Sequence, residues 1–288
     1  MLELVIEPRR HALSQGLEVR RILPYRQHRM VGPFIFLDHA GPVDLPPALR
    51  RQADVKPHPH IGLATVTYLL DGQLTHRDSL GFAQLIRPHE VNWMTAGRGI
   101  AHSERFDVNG TTTTGPLELL QSWCALPVES EESAPSFAHH ATDVLPVVED
   151  CGIWMRLIAG HAYGVTSGVR VASPLFYVHA VVQPGAILRL PDGHAERAAY
   201  VARGRVEVDG RDYQAGQLLI FAAGGDATIT ARDTATLMLL GGEPLGERFI
   251  WWNFVSSRKD RIEQAKADWR AGRIALPPND DREFIPLP

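Results

Sequence analysis

The chain contains few cysteines, no excess of positive charge and no long apolar segment. Its 288 residues include two cysteines, Cys124 and Cys151, which are too few for a disulfide framework, so we expect free thiols. Lys and Arg number 29 against 33 Asp and Glu, and the net charge of -4 excludes a protein that holds nucleic acid through bulk positive charge. No segment approaches the roughly 20 apolar residues of a membrane-spanning helix.

The first residues do not resemble a targeting sequence. Residues 1–7 include acidic residues and no long apolar core, whereas a signal peptide has a basic start followed by an apolar stretch. We therefore expect a cytoplasmic protein that has no membrane partner and makes no direct contact with nucleic acid. Without a secretion signal, the glycosylation sequon that begins at Asn109 is interpreted as a loop.

The distribution of glycine and proline indicates the fold class. The chain has 25 Gly and 21 Pro and no long heptads, which excludes a coiled coil. Short β-branched and apolar runs between these residues favour an all-β protein, and the length favours two domains. Residues 129–146 contain the run Glu-Ser-Glu-Glu-Ser and two prolines, which is typical of a linker. We predict an N-terminal domain over residues 1–128 and a C-terminal domain over residues 147–288.

One helix is predicted near the C-terminus. Ile262, Ala265 and Trp269 recur on one helical face, and a serine at residues 256–257 precedes them as the expected N-cap. The helix is expected to end just before Gly272 and to pack on a barrel.

Two pairs of side chains that can bind metal share one spacing. His58 and His60 are two residues apart, and so are His102 and Glu104 further along the chain. Side chains at i and i+2 project from the same face of a β-strand, so each pair presents its groups together. A fold that brings both strands together would direct three nitrogens and one oxygen to one point.

This ligand set predicts a metal site formed by His58, His60, His102 and Glu104. Imidazole and carboxylate together suit a borderline divalent ion, which leaves Fe, Mn, Co, Ni, Cu and Zn as candidates. Four protein ligands would leave open positions on a six-coordinate ion. A substrate oxygen and dioxygen could then be held on the same ion, which converts a bimolecular step into a local one.

The spacing around these residues resembles the motifs of the cupin family. His58, His60, Thr65 and Gly72 follow the first cupin motif, with Thr65 at the position where cupins usually carry a glutamate ligand. Residues 99–102 resemble the end of the second cupin motif. The resemblance implies an all-β fold of two tandem cupin barrels, each a double-stranded β-helix or jelly roll, with a short C-terminal helix.

A carboxylate displaced to Glu104, two residues after the histidine, resembles the arrangement in the pirin family. The resemblance covers nearly the whole chain and extends to further stretches, which are residues 30–34, 36–39, 76–81, 92–97 and 249–255. Within it, the triplet at residues 76–78 is interpreted as a strand and turn segment, because no glycine-rich nucleotide loop accompanies it as in a kinase. One departure is His89, since the family more usually has glycine after the proline at this turn.

The second half of the chain repeats the first in outline but lacks the ligands. An alignment of the two halves places Leu190 and Asp192 in the ligand positions, and His194 and Glu196 fall two residues late. We therefore predict that residues 147–288 form a cupin that binds no metal.

The resemblance implies a metal-dependent dioxygenase with quercetin 2,3-dioxygenase activity. In this interpretation one divalent ion, preferably Fe²⁺, holds a flavonol through its deprotonated 3-hydroxyl, and ring cleavage by dioxygen releases carbon monoxide. Glu104 would serve both as a ligand and as the catalytic base. The resemblance also implies an alternative, a metal-binding regulatory protein with a protein partner. Eukaryotic pirins resemble iron-dependent transcriptional co-regulators, and a bacterial member is associated with a metabolic enzyme. A third option is a structural cupin with an adventitious metal.

Overall fold

Short strands dominate the protein. A computed structural model describes residues 1–14, 17–108 and 111–288. β-Branched and aromatic runs favour extended backbone, and the frequent glycines provide turns between them. The α-helices among the described residues are α1 (Pro47–Ala53) and α2 (Lys259–Arg270), so the all-β class is confirmed. Asn109, where the sequence predicts a loop, lies outside the described residues.

Strands alternate with turns along the described chain. Up to Ala125 they are β1 (Leu2–Ile6), β2 (Arg9–Ser14), β3 (Leu17–Leu23), β4 (Phe34–Asp44), β5 (Val55–His60), β6 (Leu63–Asp71), β7 (Leu74–Asp78), β8 (Ala83–Ile86), β9 (Val91–Thr95), β10 (Ile100–Arg105), β11 (Asp107–Val108), β12 (Thr111–Thr112) and β13 (Pro116–Ala125). The later strands are β14 (Ser136–His140), β15 (Val147–Asp150), β16 (Ile153–Ala162), β17 (Val165–Thr166), β18 (Leu175–Val182), β19 (Ile187–Arg189), β20 (Glu196–Arg203), β21 (Arg205–Val208), β22 (Arg211–Gln214), β23 (Leu218–Phe221), β24 (Thr228–Ala231), β25 (Ala235–Gly242), β26 (Phe249–Trp251) and β27 (Phe254–Ser256). The stretch predicted as a linker therefore contains β14, which 3₁₀ turns at Val128–Ser130 and Thr142–Val144 flank.

The chain forms two compact units whose segments alternate in the sequence. Unit 1 combines Met1–Arg9, Arg20–Leu37 and Thr142–Leu245, and unit 2 combines Arg10–Val19, Asp38–Ala141 and Gly246–Pro288. These limits differ from the predicted boundaries at residues 128 and 147, which rest on composition alone. The difference arises from long-range pairing, because β1 pairs with β23 in unit 1 and Phe254 forms a bridge to Ile61 in unit 2.

In unit 1 a large and a small sheet share one core. The large sheet has the strand order β1-β23-β20-β25-β18-β16-β15 with β17 beside β16, and the small sheet has the order β19-β24-β21-β22. Phe176 and Leu239 of the large sheet belong to the same buried cluster as Leu188 and Ile229 of the small sheet. Burial of apolar side chains from both sheets is thus the main force that joins them.

A second pair of sheets repeats this arrangement, and most of its residues belong to unit 2. The large sheet has the order β14-β9-β6-β13-β4-β3-β2, and the small sheet has the order β5-β10-β7-β8. Leu69 and Leu117 of the large sheet share a buried cluster with Leu74 and Ile86 of the small sheet. The small sheet carries both predicted ligand pairs, one on β5 and the other on β10.

Helix α2 belongs to unit 2 and buries one apolar face there. Ile262, Ala265 and Trp269 are buried in a cluster with Ile61, which directly follows β5. The predicted helical face is therefore confirmed, and the helix supports the end of a strand that carries predicted ligands.

The predicted serine cap of α2 is wrong. Arg258 is the N-cap residue, and no side chain caps the first turn. The hydroxyl groups of Ser256 and Ser257 instead donate hydrogen bonds to Glu131 at 3.0 Å. The fold brings the Glu131 carboxylate close to both hydroxyls, which therefore bond to it and do not cap the helix as the sequence predicts.

The segment after α2 is tied to the ligand strands of unit 2. Asp280 accepts hydrogen bonds from Ser103 Oγ at 2.6 Å and from Arg105 Nε at 2.8 Å, both on β10. The backbone N–H of Ile285 donates to the carbonyl of Pro57 on β5 at 2.8 Å. Residues near the end of the sequence therefore hold the two strands that carry the predicted ligands.

The turn that departs from the pirin pattern keeps a glycine-like backbone. His89 has a φ of 67°, in the left-handed region that side chains other than glycine rarely adopt. Its ring stacks on Tyr68 with centroids 6.2 Å apart, and its N–H donates to the carbonyl of Leu69 at 2.8 Å. These contacts hold a conformation that costs an L residue roughly 1 kcal/mol.

Candidate metal centre

The predicted ligands lie on neighbouring strands of the small sheet of unit 2. β10 lies between β5 and β7, and His102 on β10 is directly opposite His58 on β5. On its other side, His102 is directly opposite Asp78 on β7. Directly opposed side chains of antiparallel strands have Cβ atoms about 5 Å apart, so this register brings the imidazoles together.

Three imidazoles form one compact cluster. One nitrogen each of His58, His60 and His102 lies within 4.8 Å of the other two. The Nε2 atoms of His60 and His102 are 3.1 Å apart, and the ring centroids of His58 and His102 are 4.4 Å apart. Within the described ranges, this is the one group of three or more His, Cys, Asp or Glu side chains that could hold a metal ion.

Burial keeps the three imidazoles neutral at neutral pH. Loss of water lowers the pKa of His58 to about 4, and it lowers the pKa values of His60 and His102 well below the ordinary range. For His60 and His102, repulsion from neighbouring imidazolium charge lowers the pKa further. Neutral imidazole is the form that binds a metal, so the cluster can accept a cation without first releasing protons.

Glu104 lies two residues beyond His102 on β10 and is not a member of the three-imidazole cluster. A β-bulge separates it from His102 in the pairing with β5. The Thr67 hydroxyl lies 3.4 Å from its carboxylate and 2.9 Å from the side-chain oxygen of Gln121. Loss of water raises the pKa of Glu104 to about 7. The structure thus brings three of the four predicted ligands together, and the fourth stays a prediction.

The raised pKa predicts that Glu104 destabilises the metal-free protein at high pH. The carboxyl group titrates near 4.5 in its ordinary state and near 7 in the folded protein, so folding takes up a proton between these values. Stability therefore falls as the pH rises through this range. We expect Glu104→Gln to stabilise the metal-free protein by about 2 kcal/mol at pH 8, a value reduced because solvent partly screens the carboxylate.

Urea unfolding in the presence of a chelator measures this difference. The gain in unfolding free energy is expected to shrink toward pH 5, where the folded protein holds the proton and only the unfolded chain ionises. Because both proteins contain the same histidines, the difference between them isolates position 104. Equal stabilities at pH 8 would contradict a desolvated carboxyl group.

His76 and Asp78 on β7 adjoin the cluster, although the sequence interpretation gives them no role. The Nδ1 atoms of His76 and His102 are 3.3 Å apart, and His76 Nε2 is 2.9 Å from Asp78 Oδ2. Both side chains are buried. Their i, i+2 spacing is the same signal that identified the two ligand pairs, and it could have identified this pair as well.

The cluster fits a divalent metal ion. A single cation between His60 and His102 would satisfy two nitrogens that approach to 3.1 Å. His58 Nδ1 is hydrogen-bonded to the carbonyl of Lys56 at 2.9 Å, which leaves its Nε2 for the ion. Three neutral nitrogens with a carboxylate nearby are donors that Fe, Mn, Co, Ni, Cu and Zn accept.

His194 and Glu196, which lie near the ligand positions of the second half, have hydrogen-bond partners within unit 1. His194 Nε2 lies 3.2 Å from the carbonyl of His161, and the Glu196 carboxylate accepts the backbone N–H of Gly32 at 2.5 Å. These bonds hold the two side chains in structural roles. That the C-terminal cupin binds no metal stays a prediction.

Comparisons with known proteins identify the family. A family model described as Pirin matches residues 16–124, and one described as the Pirin C-terminal cupin domain matches residues 177–275. A pirin-like protein from Caulobacter vibrioides is 56% identical over 289 residues, with 100% of each chain covered. The chain belongs to the pirin family. The resemblance stated from the sequence motifs is therefore confirmed.

Solved pirin structures share the fold. A protein named quercetin 2,3-dioxygenase from Acinetobacter baumannii matches with a TM-score of 0.89 and 35% identity, covering 99% of this chain and 94% of its own. A bacterial pirin from Escherichia coli in complex with nickel(II) matches with a TM-score of 0.63 and 17% identity, covering 84% of this chain and 99% of its own, which shows the fold alone. Two tandem cupin barrels with a short C-terminal helix are thus confirmed.

Two expectations from composition concern thiols and membranes. Cys124 and Cys151 are free cysteines, the first buried and the second exposed, as predicted. Neither α-helix in the described part of this pirin has the length and apolarity that a membrane crossing needs.

Proposed function

We propose that this pirin is a metal-dependent quercetin 2,3-dioxygenase that cleaves flavonols with dioxygen. The observation that carries the proposal is the cluster of three neutral imidazoles, with the carboxylate of Glu104 on the strand that carries His102. Fe²⁺ is the preferred ion, and Mn, Co, Ni, Cu and Zn are alternatives for the same donors. The 35% identical Acinetobacter baumannii protein carries the quercetin 2,3-dioxygenase name, which supports this substrate class.

The side chains of the cluster would hold the ion. His58, His60 and His102 donate three nitrogens, and Glu104 is the proposed fourth ligand. When bound, a divalent ion supplies Lewis acidity and open positions for an anionic substrate oxygen beside dioxygen. Because the three imidazoles are uncharged, one carboxylate leaves a net positive site, which favours a flavonolate over the neutral flavonol.

Glu104 is the proposed base that accepts the proton of the flavonol 3-hydroxyl. Burial raises the pKa of Glu104 to about 7 in the metal-free protein, and a cation beside it would lower that pKa, so the carboxylate would be ionised and able to accept a proton at neutral pH. A side-chain donor, the Thr67 hydroxyl, lies 3.4 Å from the Glu104 carboxylate. Transfer of the proton leaves the substrate as the anion that the positive site attracts.

An aerobic assay with quercetin tests the proposal. The metal-free full chain is reconstituted in turn with Fe, Mn, Co, Ni and Cu, and dioxygen uptake is followed together with carbon monoxide release. We expect at least one ion to give uptake with equal release of carbon monoxide, because cleavage of the flavonol ring by dioxygen expels one carbon of the ring. The chelator-treated protein is the control and should consume no dioxygen.

An absence of oxygen uptake with all five ions would overturn the enzyme assignment. Oxygen uptake without carbon monoxide release would indicate oxidase activity and would reject the ring-cleaving reaction. In the first case the co-regulator interpretation would lead, and capture of protein partners on metal-loaded and metal-free chains would be compared.

A further inference from the structure

A chain of hydrogen bonds leads from the imidazole cluster into the protein. His102 on β10 contacts His76 on β7 through their Nδ1 atoms at 3.3 Å, and His76 Nε2 contacts Asp78 Oδ2 at 2.9 Å. The strands are paired in register at this point, with Asp78 opposite His102 and His76 opposite Glu104. The exposed fractions are 0% for Asp78, 3% for His76 and 1% for His102, so water does not compete for these bonds.

The chemistry of each atom fixes the direction of the hydrogen bonds. An ionised carboxylate only accepts, so His76 must carry its proton on Nε2 and donate it to Asp78. In a neutral imidazole the other nitrogen then bears a lone pair, and His76 Nδ1 must accept from His102 Nδ1. His102 consequently presents an unprotonated Nε2, which is the atom 3.1 Å from His60 Nε2.

His76 and Asp78 on β7 are both fixed in position. Asp78 Oδ1 accepts the backbone N–H of Leu80 at 2.9 Å and that of Phe82 at 3.2 Å. The His76 ring stacks on Phe137 with centroids 4.3 Å apart and planes inclined by 9°. The carboxylate cannot rotate without losing two backbone bonds, and the imidazole cannot rotate without leaving the aromatic ring.

A buried carboxylate is stabilised by the hydrogen bonds that it accepts and by positive charge nearby. In the described part of the chain, His76 is the one basic side chain within 4 Å of the Asp78 carboxylate. A cation bound to His102 Nε2 would supply positive charge near Asp78. It would polarise the N–H bonds of His102 and His76 that point along the path to the carboxylate.

We propose that His76 and Asp78 are positioning residues, which together select the tautomer of His102 that binds metal and increase the electron density at its Nε2. This inference rests on the metal centre of the proposed function and not on its dioxygenase activity. Partners of this kind on the far nitrogen of a ligand histidine typically change metal affinity by about 10- to 100-fold.

Asp78→Asn tests the direction of the bonds. The asparagine oxygen has to stay with the two backbone N–H groups of Leu80 and Phe82, so its amide N–H₂ faces His76 Nε2. His76 would then accept there and donate from Nδ1, which forces the proton of His102 onto Nε2. We expect the dissociation constant for Co²⁺, measured by competition with a chromogenic chelator, to rise about 10- to 100-fold.

Glu118→Gln is the matched control. Glu118 Oε1 lies 2.9 Å from His39 Nε2, both side chains are fully buried, and the pair lies on β13 and β4 of the large sheet of unit 2. This variant is expected to lose stability and to keep the wild-type affinity for Co²⁺. An equal loss of affinity in both variants would show that Asp78 affects metal binding only through the stability of the fold, and it would overturn the proposal.

The wild-type protein alone also tests the inference, whether or not a variant folds. Nitrogen-15 NMR of the metal-free full chain distinguishes the two tautomers of a neutral histidine, and we expect the Nδ1–H form for His102 and the Nε2–H form for His76. The opposite tautomers, or an Asp78→Asn affinity within twofold of wild type, would overturn the proposal. Neither measurement uses quercetin. The dioxygenase assay can therefore fail while this proposal holds, and the two outcomes can be told apart.

Discussion

Replacing His60 with alanine is expected to remove stoichiometric metal from the protein while the chain stays folded. His60 Nε2 lies 3.1 Å from His102 Nε2, and the side chain is 1% exposed, so its loss removes one of the three clustered nitrogens. Three protein ligands, including Glu104, hold an ion much less tightly than four. Elemental analysis after reconstitution and desalting should show a fall from about one ion per chain to below about a tenth.

His194→Ala is the matched control for this experiment. It removes an imidazole from unit 1, where His194 bonds the carbonyl of His161, and it should leave the metal content at one ion per chain. Circular dichroism of both variants checks that they fold. Full occupancy in the His60 variant would reject the site, and a halved content in the His194 variant would reveal a second metal in the C-terminal cupin.

Glu104→Gln is expected to abolish most flavonol cleavage while the protein retains part of its metal. The amide keeps the size of the side chain and can still contact the Thr67 hydroxyl, but it cannot accept the proton of the 3-hydroxyl. Loss of a positioned general base typically costs about 10²- to 10⁴-fold in turnover. The turnover rate per bound metal, measured by dioxygen uptake at saturating quercetin, separates this loss from a loss of metal.

The turnover experiment also has a control with the same chemistry. Glu118→Gln removes another buried carboxylate of unit 2, outside the small sheet, and should keep the wild-type rate per bound metal. If Glu104→Gln cleaved quercetin as fast as wild type, the carboxylate would not be the base. A quercetin analogue with a methylated 3-hydroxyl should be inert with both proteins, because it has no proton to transfer.

The ligand pairs were predictable because the signal is local. His58 with His60, and His102 with Glu104, share the period of a β-strand, and that period decides which side chains lie on one face. The pairing of β5 with β10 is not encoded in either stretch by itself. The resemblance to cupins supplied it, and the register of His102 opposite His58 agrees with it.

The same spacing could identify His76 and Asp78 on β7 as a candidate pair, but it could not reveal their role. His76 and Asp78 have the same spacing as the ligand pairs, but the position of β7 beside β10 depends on the whole sheet. Local sequence also fails where a distant residue competes for a group, as Glu131 does for the hydroxyls of Ser256 and Ser257. At His89, stacking on Tyr68 accompanies a backbone conformation that the sequence pattern reserves for glycine.

The alternation of segments between the two units has a consequence for biosynthesis. Unit 2 contains the three imidazoles and takes its last segment, Gly246–Pro288, from the end of the sequence. Asp280 and Ile285 in that segment bind the strands that carry the histidines. A ribosome makes these residues after all of unit 1, so a nascent chain exposes the histidines long before their strands can be fixed. Because domains fold as whole units, metal loading is expected to follow synthesis of this last segment of unit 2.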